Sequence, residues 1–375
     1  MDKLRIGFDA KRAFYNTRGL GNYSRDLIRI VSTGSPEDEM YLFTPKTSNS
    51  IPFHQGNNCT IVQPTSFAYT KFPAAWRTWG CNKEIKNLHL DVYHGLSHEL
   101  PFGIDKTGAY TVVSMHDVIF LRHPEWFPFF DRYSFRFKYV NSCKRADHVV
   151  AISEATKADI VETIGIDESK ISVVYQGCNA IYYQPVSNEQ KEDIRKKYNL
   201  PHEFIMTVSA IEERKNHLCI LRALSMMKHP VPYVIIGSGA TYKKVLEKEI
   251  AALKIEKLVH FIENIPIQDL AIIHHCASLM VYPSFYEGYG RPIVEAQACQ
   301  LPVITSQGSC FQEVGGNGAV YLNPNEPEEW AFTIDQLLSE SMLTSRMISY
   351  ANDNLARFTE ENILHQLKKI YTKKK

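Results

Sequence analysis

The eight cysteines of this 375-residue sequence form no C-x-x-C pair and lie scattered from Cys59 to Cys310. That spacing excludes the usual zinc sites and a disulfide framework, and it suits a reducing cytosol. No segment approaches the roughly 20 apolar residues needed to span a bilayer. The first residues, 1–14, lack the apolar run and small-residue cleavage site of a secretory signal. A cytoplasmic protein is therefore expected. Charge of one sign is missing too: 42 Lys and Arg against 41 Asp and Glu leave a net charge of +1, which gives no reason to expect nucleic acid as a partner. There is no Asp-x-Asp motif to hold a divalent ion beside a diphosphate, so no metal is implied. A full dinucleotide fingerprint is also lacking. Gly19-Leu-Gly21 is followed by Ser24 at the third glycine position, and Gly237-Ser-Gly239 has no third glycine. No internal repeat occurs at a fixed period.

What is present reads as layered α/β structure. The chain is long enough for two domains of roughly 150–200 residues, and 44% hydrophobic with 22% charged residues is ordinary for a globular protein. Short apolar runs alternate with helical patterns from end to end. The first series of strand candidates is Leu4–Phe8, Met40–Phe43, Thr60–Val62, Val92–Tyr93, Tyr110–Met115 and His148–Ile152. The second is Ile171–Tyr175, Phe204–Val208, Tyr233–Ile236, Val259–Ile262, Leu279–Tyr282, Pro302–Thr305 and Ala319–Leu322. Ser153 reads as an N-cap after a strand. The polar stretch from Gln176 to about Leu200 is the best linker candidate. A final helix is expected from Phe358, ending in the cluster Lys373–Lys375. Two doubly wound sheets facing a cleft would bind ligands outside the carboxyl ends of their strands.

The most informative stretch is Ser284–Glu295, SFYEGYGRPIVE. Glu287 and Glu295 flank Gly288, Gly290 and Pro292 where a loop turns into a helix. Pro292 suits the first helical turn, and the glycines let backbone approach a ligand. A helix start favours an anion. The arrangement fits a sugar nucleotide, with Glu287 at the sugar and Glu295 at the ribose; the plain alternative is a loop-to-helix junction with surface acids. Arg214 and Lys215, in a tight turn after a strand, suit a diphosphate, one as a planar fork and the other as a point charge; from the local sequence alone a solvated charged turn is an equal alternative. Gly19 and Gly21 stand at a helix start after the first strand and could lie close to a phosphate or sugar. For Gly237–Ala240 a plain strand-to-helix turn is the better reading. His116, at the end of an apolar run, could reach a ligand or be a satisfied structural histidine; His94 has a weaker version of the same case. Residues 129–145 mix aromatics with bases. Such a stretch suits an anionic membrane surface, but more often packs its aromatics inward beneath a solvated basic face.

Taken together, Gly19–Tyr23, His116-Asp117, Ala151–Thr156, Val173–Asn179, Arg214-Lys215-Asn216, Ile236–Gly239, Pro283–Glu295 and Glu313–Pro324 resemble the retaining glycosyltransferases of the GT-B fold, family four. The resemblance covers nearly the whole chain. It implies an α/β architecture of two Rossmann-like domains across a cleft. Residues 1–177, with a crossover helix at about 358–375, would form the acceptor-side domain, and residues 178–357 the donor domain. Residue by residue it implies that Glu287 contacts the donor sugar, Glu295 the ribose, and Arg214 and Lys215 the diphosphate. His116 would sit by the donor sugar, Gly21 near the phosphates, and the turn before Glu313 beside the nucleotide. Many members place an arginine several residues before the lysine, where this chain has Ser209-Ala210-Ile211. Here Arg214 stands directly beside Lys215, as in the subgroup reading Glu-x-Arg-Lys-Asn.

The segments HDVIFLRHPEW (116–126) and VVYQGC (173–178) are similar to mannosyltransferases of surface-polysaccharide assembly. The implied reaction moves a hexose, foremost mannose from GDP-mannose, with retention, to a surface polysaccharide or lipid-linked glycan. No metal or other cofactor is implied, since the nucleotide sugar is a substrate, and a peripheral contact with the inner membrane is compatible with residues 129–145. A UDP-sugar hexosyl- or N-acetylhexosaminyltransferase of the same fold, a sugar-nucleotide epimerase and a nicotinamide-dependent oxidoreductase are the enzymatic alternatives. The incomplete glycine fingerprints count against the last. A silent partner subunit is the non-enzymatic one, and the intact Glu287, Glu295, Arg214 and Lys215 count against it.

Overall fold

The computed structural model describes residues 3–48, 53 and 56–373. Its thirteen strands are β1 (Arg5–Asp9), β2 (Glu39–Phe43), β3 (Cys59–Val62), β4 (Val92–Gly95), β5 (Tyr110–Met115), β6 (His148–Ala151), β7 (Ile171–Val173), β8 (Ile205–Val208), β9 (Tyr233–Ile236), β10 (Val259–Ile262), β11 (Leu279–Tyr282), β12 (Val303–Ser306) and β13 (Ala319–Leu322). They build two separate sheets, ordered β3-β2-β1-β4-β5-β6-β7 and β10-β9-β8-β11-β12-β13. All pairings are parallel, as in β1 with β2 and β8 with β11. Central strands such as β9 (YVII) and β11 (LMVY) are buried along their whole length. This is why they read as continuous apolar runs: helices cover both faces of a parallel sheet.

The chain divides into two compact units, Met1–Gly177 with Thr359–Lys375, and Cys178–Phe358. Strand β7 pairs with β6 at the edge of the first sheet, so Ile171–Tyr175 closes the first series rather than opening the second. The expected linker from Gln176 to Leu200 is mostly ordered. Asn188–Tyr198 is a helix started by a capping box between Ser187 and Gln190. Its low apolar content reflects a solvated helix, not a flexible connection. Ser153 does cap the helix Glu154–Ile164, accepting from the Thr156 N–H at 3.0 Å.

The last helix, Glu360–Tyr371, belongs to the first unit. It buries Ile363, Leu367, Ile370 and Tyr371. Glu360 takes both guanidinium nitrogens of Arg29 from the helix Gly19–Gly34. Gly34 meets Leu364 so closely that a Cβ there would stand 2.2 Å from its Cδ2. Lys374 and Lys375, two members of the expected lysine cluster, lie outside the described residues. All eight cysteines are free thiols, seven of them buried. Among the described residues no helix is long and apolar enough to cross a membrane.

Candidate active site

In the second sheet the strand order reverses between β8 and β11: β9 and β10 extend from β8 to one side, and β12 and β13 from β11 to the other. Loops leaving the carboxyl ends of such a strand pair splay apart and open a binding crevice. The loop after β8 carries Arg214 and Lys215, and the loop after β11 carries Glu287, so strand order converts two distant segments into neighbours.

The three side chains form one buried cluster. Lys215 and Glu287 are each 8% exposed. The Lys215 ammonium donates to Glu287 Oε1, and Arg214 Nη1 lies 2.8 Å from Glu287 Oε2. Tyr282, the last residue of β11, donates its hydroxyl to Glu287 Oε1 at 3.0 Å. Arg214 also donates to the Tyr286 carbonyl and to Glu212, both at 2.7 Å. Burial alone would push the Glu287 carboxyl up, but Arg214 and Lys215 outweigh it and hold it down to about 2. Glu287 is ionised at neutral pH. Arg214 and Lys215 are matched by Glu287 and by the more exposed Glu212, so an anionic ligand would compete with Glu212 for Arg214.

The backbone around the cluster is pinned from several directions. The Phe285 N–H donates to the Arg214 carbonyl at 2.9 Å, tying the two loops together. Ser309 accepts from the Glu287 N–H at 3.2 Å, and its hydroxyl donates to the Glu287 carbonyl at 2.8 Å. Asn216 has a left-handed backbone, φ 52°, which Asn tolerates better than most residues. Its side-chain amide donates to the carbonyls of Pro283 at 3.2 Å and Pro324 at 2.8 Å. Beneath the loop, His217 and Thr207 both bond the Tyr233 hydroxyl, at 2.9 and 2.8 Å. Burial lowers His217 to about 4, so it is neutral. Gly237 and Gly239 have a packing purpose: a Cβ would stand 1.7 Å from the Ser209 carbonyl oxygen and 2.0 Å from that of Ile211. The expected strand-to-helix turn is thus also the support on which the Arg214 loop rests. Sequence reading missed Tyr282 and Ser309, and it named Asn216 only within the motif Arg214-Lys215-Asn216, without a role; Tyr282 carried a signal as the final residue of a strand opening onto the site.

Gly288 is buried in the loop, and Gly290 adopts φ 80° immediately before the helix Arg291–Ala298, with Pro292 in its first turn. Glu295 is buried on that helix, with Oε1 3.0 Å from Nε of Arg291 one turn earlier. Glu313 is half-buried on the short helix Phe311–Gly315, and its carbonyl accepts from Arg357 at 2.9 Å.

His116, Gly19 and Gly21 belong to the first unit. Gly21 is needed for packing, since a Cβ would lie 1.7 Å from the Asn16 carbonyl oxygen, whereas Gly19 has open space around it. His116 is buried, and its Nε2–H donates to the Leu96 carbonyl at 2.9 Å. Burial lowers it to about 4, so it is neutral at pH 7. It packs edge-on against Tyr23, whose hydroxyl is 2.7 Å from Ser114 Oγ. His94 bridges the same Ser114, at 2.8 Å, and Tyr371, at 2.7 Å. His94 is thereby a structural tie between the first sheet and the last helix.

A family model described as Glycosyl transferases group 1 matches residues 190–354, and one described as Glycosyltransferase Family 4 matches residues 19–180. The O-antigen chain mannosyltransferase RfbU of Salmonella typhimurium is 28% identical, across 67% of this chain and 66% of its own length. The O-antigen chain mannosyltransferase B of Escherichia coli is 24% identical across 98% of this chain and 99% of its own. Anabaena HepE, solved in complex with UDP and glucose, superposes with a TM-score of 0.76 at 20% identity, covering 99% of this chain and all of that one, a likeness of fold. Two doubly wound sheets and these matches define a glycosyltransferase of the GT-B fold. Within that class, the chain belongs to glycosyltransferase family four.

Proposed function

We propose that this glycosyltransferase moves a mannosyl residue from GDP-mannose, with retention of anomeric configuration, to a growing surface polysaccharide or lipid-linked glycan at the cytoplasmic face of the membrane. The observation that carries the site assignment is the buried Arg214–Glu287–Lys215 cluster at the switch point of the second sheet. The mannosyl assignment is supported by relatives named as mannosyltransferases of the O-antigen chain.

In this reading Arg214 and Lys215 stabilise the nucleoside diphosphate as it departs. Their stabilisation grows as charge develops on the leaving oxygen, so it acts on the transition state more than on the bound donor. Glu287 holds both cations in place and offers its carboxylate to the sugar hydroxyls. Glu295 takes the ribose, Gly288 and Gly290 admit the phosphates close to backbone, and the turn before Glu313 borders the nucleotide. Neutral His116 supplies a hydrogen bond to the sugar rather than a proton. The departing phosphate accepts the proton of the attacking hydroxyl on the same face. Arg214, Lys215 and helix N-termini together balance the diphosphate, and no metal is invoked.

A panel of nucleotides in thermal shift tests the donor, since a ligand that binds only the folded state raises Tm. GDP is expected to raise it more than UDP, and the reverse would replace mannose with a UDP-linked hexose or N-acetylhexosamine. Turnover is expected to be unchanged in EDTA. NMR of the product should show the anomeric configuration of the donor; inversion would overturn the same-face mechanism.

A further inference from the structure

The first unit holds a cavity of about 330 Å³, lined by Lys11, Lys46, Arg77, Glu99 and Lys138 with apolar wall from Pro73 and its neighbours. Its lining comes from the segments that follow β1, β2, β3, β4 and β5. Between β1 and β4 the order of the first sheet reverses, which is where a doubly wound sheet receives a ligand. Arg77 is already engaged, with Nε 3.0 Å from Asp9 Oδ2 and Nη1 2.8 Å from Glu99 Oε2. The three lysines are different: among the described residues none of them forms an ion pair with a carboxylate. Lys11 is partly desolvated, and burial and then Arg77 lower its pKa. Glu99, the one carboxylate in the lining, is already held by Arg77, so the three lysines leave the cavity with excess positive charge, which favours an anion.

The mouth of this cavity continues into aromatic surface. Pro73, Thr78 and Lys138 each adjoin an exposed aromatic in sequence: Phe72 at 67%, Trp79 at 58% and Phe137 at 57% exposure. Phe102 stacks between Trp79 and Phe137, with ring centroids 6.3 and 5.5 Å away. A smaller adjoining recess shares Arg77, Thr78, Glu99 and Lys138 with the cavity and is walled by Phe102. Residues 129–145 therefore do not turn their aromatics uniformly inward: Phe135 and Tyr139 pack on the core, while Phe129, Phe130, Tyr133 and Phe137 are exposed. Exposed apolar area continuous with a basic cavity is a costly surface to leave uncovered, and it marks a ligand site.

We infer that the cavity binds the phosphate head of an amphiphilic ligand, whose hydrocarbon chain lies over the Trp79–Phe102–Phe137 stack. This rests on the reading of the chain as a transferase to a lipid-linked glycan and names the chemistry of that acceptor: a phosphorylated lipid, held by Lys11, Lys46 and Lys138. Farnesyl diphosphate, inorganic pyrophosphate and farnesol are the probes, titrated by calorimetry and Trp fluorescence into the full chain with GDP saturating. GDP occupies the nucleotide site, so binding there cannot be mistaken for binding here.

Farnesyl diphosphate is expected to bind at least tenfold more tightly than either pyrophosphate or farnesol. The double variant Lys46→Glu/Lys138→Glu should lose at least tenfold in affinity, and Phe137→Ser should lose the preference for the prenyl chain over pyrophosphate. All three positions are exposed, so folding is not at stake, and an unchanged GDP thermal shift checks this. Absence of saturable binding, or binding indifferent to the double variant, would overturn the inference. So would binding to phosphatidylglycerol vesicles that farnesyl diphosphate fails to displace, which would assign the surface to a bilayer. A missing GDP response would instead count against the donor reading alone.

Discussion

Glu287 joins two cations that would otherwise repel one another in a buried loop, and this makes the cluster sensitive to any single change. In the proposed reaction Lys215 is one of two cations beside the departing diphosphate, so Lys215→Ala is expected to lower kcat by about 10²–10³, the loss typical of deleting one group that stabilises developing charge. Removing one partner of a buried pair also costs stability, about 3–5 kcal/mol when the remaining charge is uncompensated; Arg214 stays on Glu287 and limits that cost. Turnover at the wild-type rate in a folded Lys215→Ala protein would remove Lys215 from the reaction. The pH dependence has a definite sign. The folded-state pKa of Glu287 is depressed from 4.5 to about 2, so its contribution to stability is complete above its unfolded value and is lost as pH falls from about 4.5 toward 2. Glu287→Gln should flatten the fall of Tm with acidification across that window, and a variant with the wild-type slope would contradict the ion pair. Arg214, Lys215 and Glu287 were legible in the sequence because charge beside glycine and proline after a strand is uncommon. Tyr282 and Ser309 were not, and Asn216 only as part of a motif, because their purpose exists only once segments 22 to 108 positions apart meet.

Elements inherit their positions from close backbone contacts that side chains would forbid. The turn from Ser209 to Ile211 rests on Gly237 and Gly239, with the Ser209 N–H donating to the Ile236 carbonyl and the Ile211 N–H to that of Ser238, both at 3.0 Å. Gly237→Ala must displace this turn, because the contact is to backbone and not to a side chain that can rotate away. A destabilisation of about 1–3 kcal/mol is expected from the overpacking, together with weaker GDP binding, since Arg214 and Lys215 ride on the same loop. Thermal melting with and without GDP measures both; a loss of stability with full GDP affinity would show that the loop is positioned independently of this support. The helices themselves were legible where a capping residue or an apolar period marked them, as at Ser153. The polar helix Asn188–Tyr198 was not, because only Ile194 is buried on it and a solvated helix resembles a linker in composition.

At the scale of the whole molecule, the last helix completes the first unit although the chain has passed through the second in between. Ending the chain at Phe358 would expose the surface now covered by Ile363, Leu367 and Ile370. At about 1.5–3 kcal/mol for each buried side chain, that loss is comparable with the 5–15 kcal/mol by which domains are stable. The truncated protein is expected to lose the cooperative melting of its first unit, read by calorimetry, and a first unit that melts unchanged would make the helix an accessory. The sequence by itself determined the parallel α/β class, the thirteen strands to within a few residues, and the charged residues carried by the two loops of the candidate site. These follow from local signals: apolar runs, caps, glycines and neighbouring charges. Tertiary structure decided which sheet β7 joins, which glycines serve packing, and that Tyr282 and Asn216 belong to the site. It also decided that three lysines after different strands share one cavity. Strand order sets those outcomes, because it brings together loops distant in sequence, and no local signal encodes it.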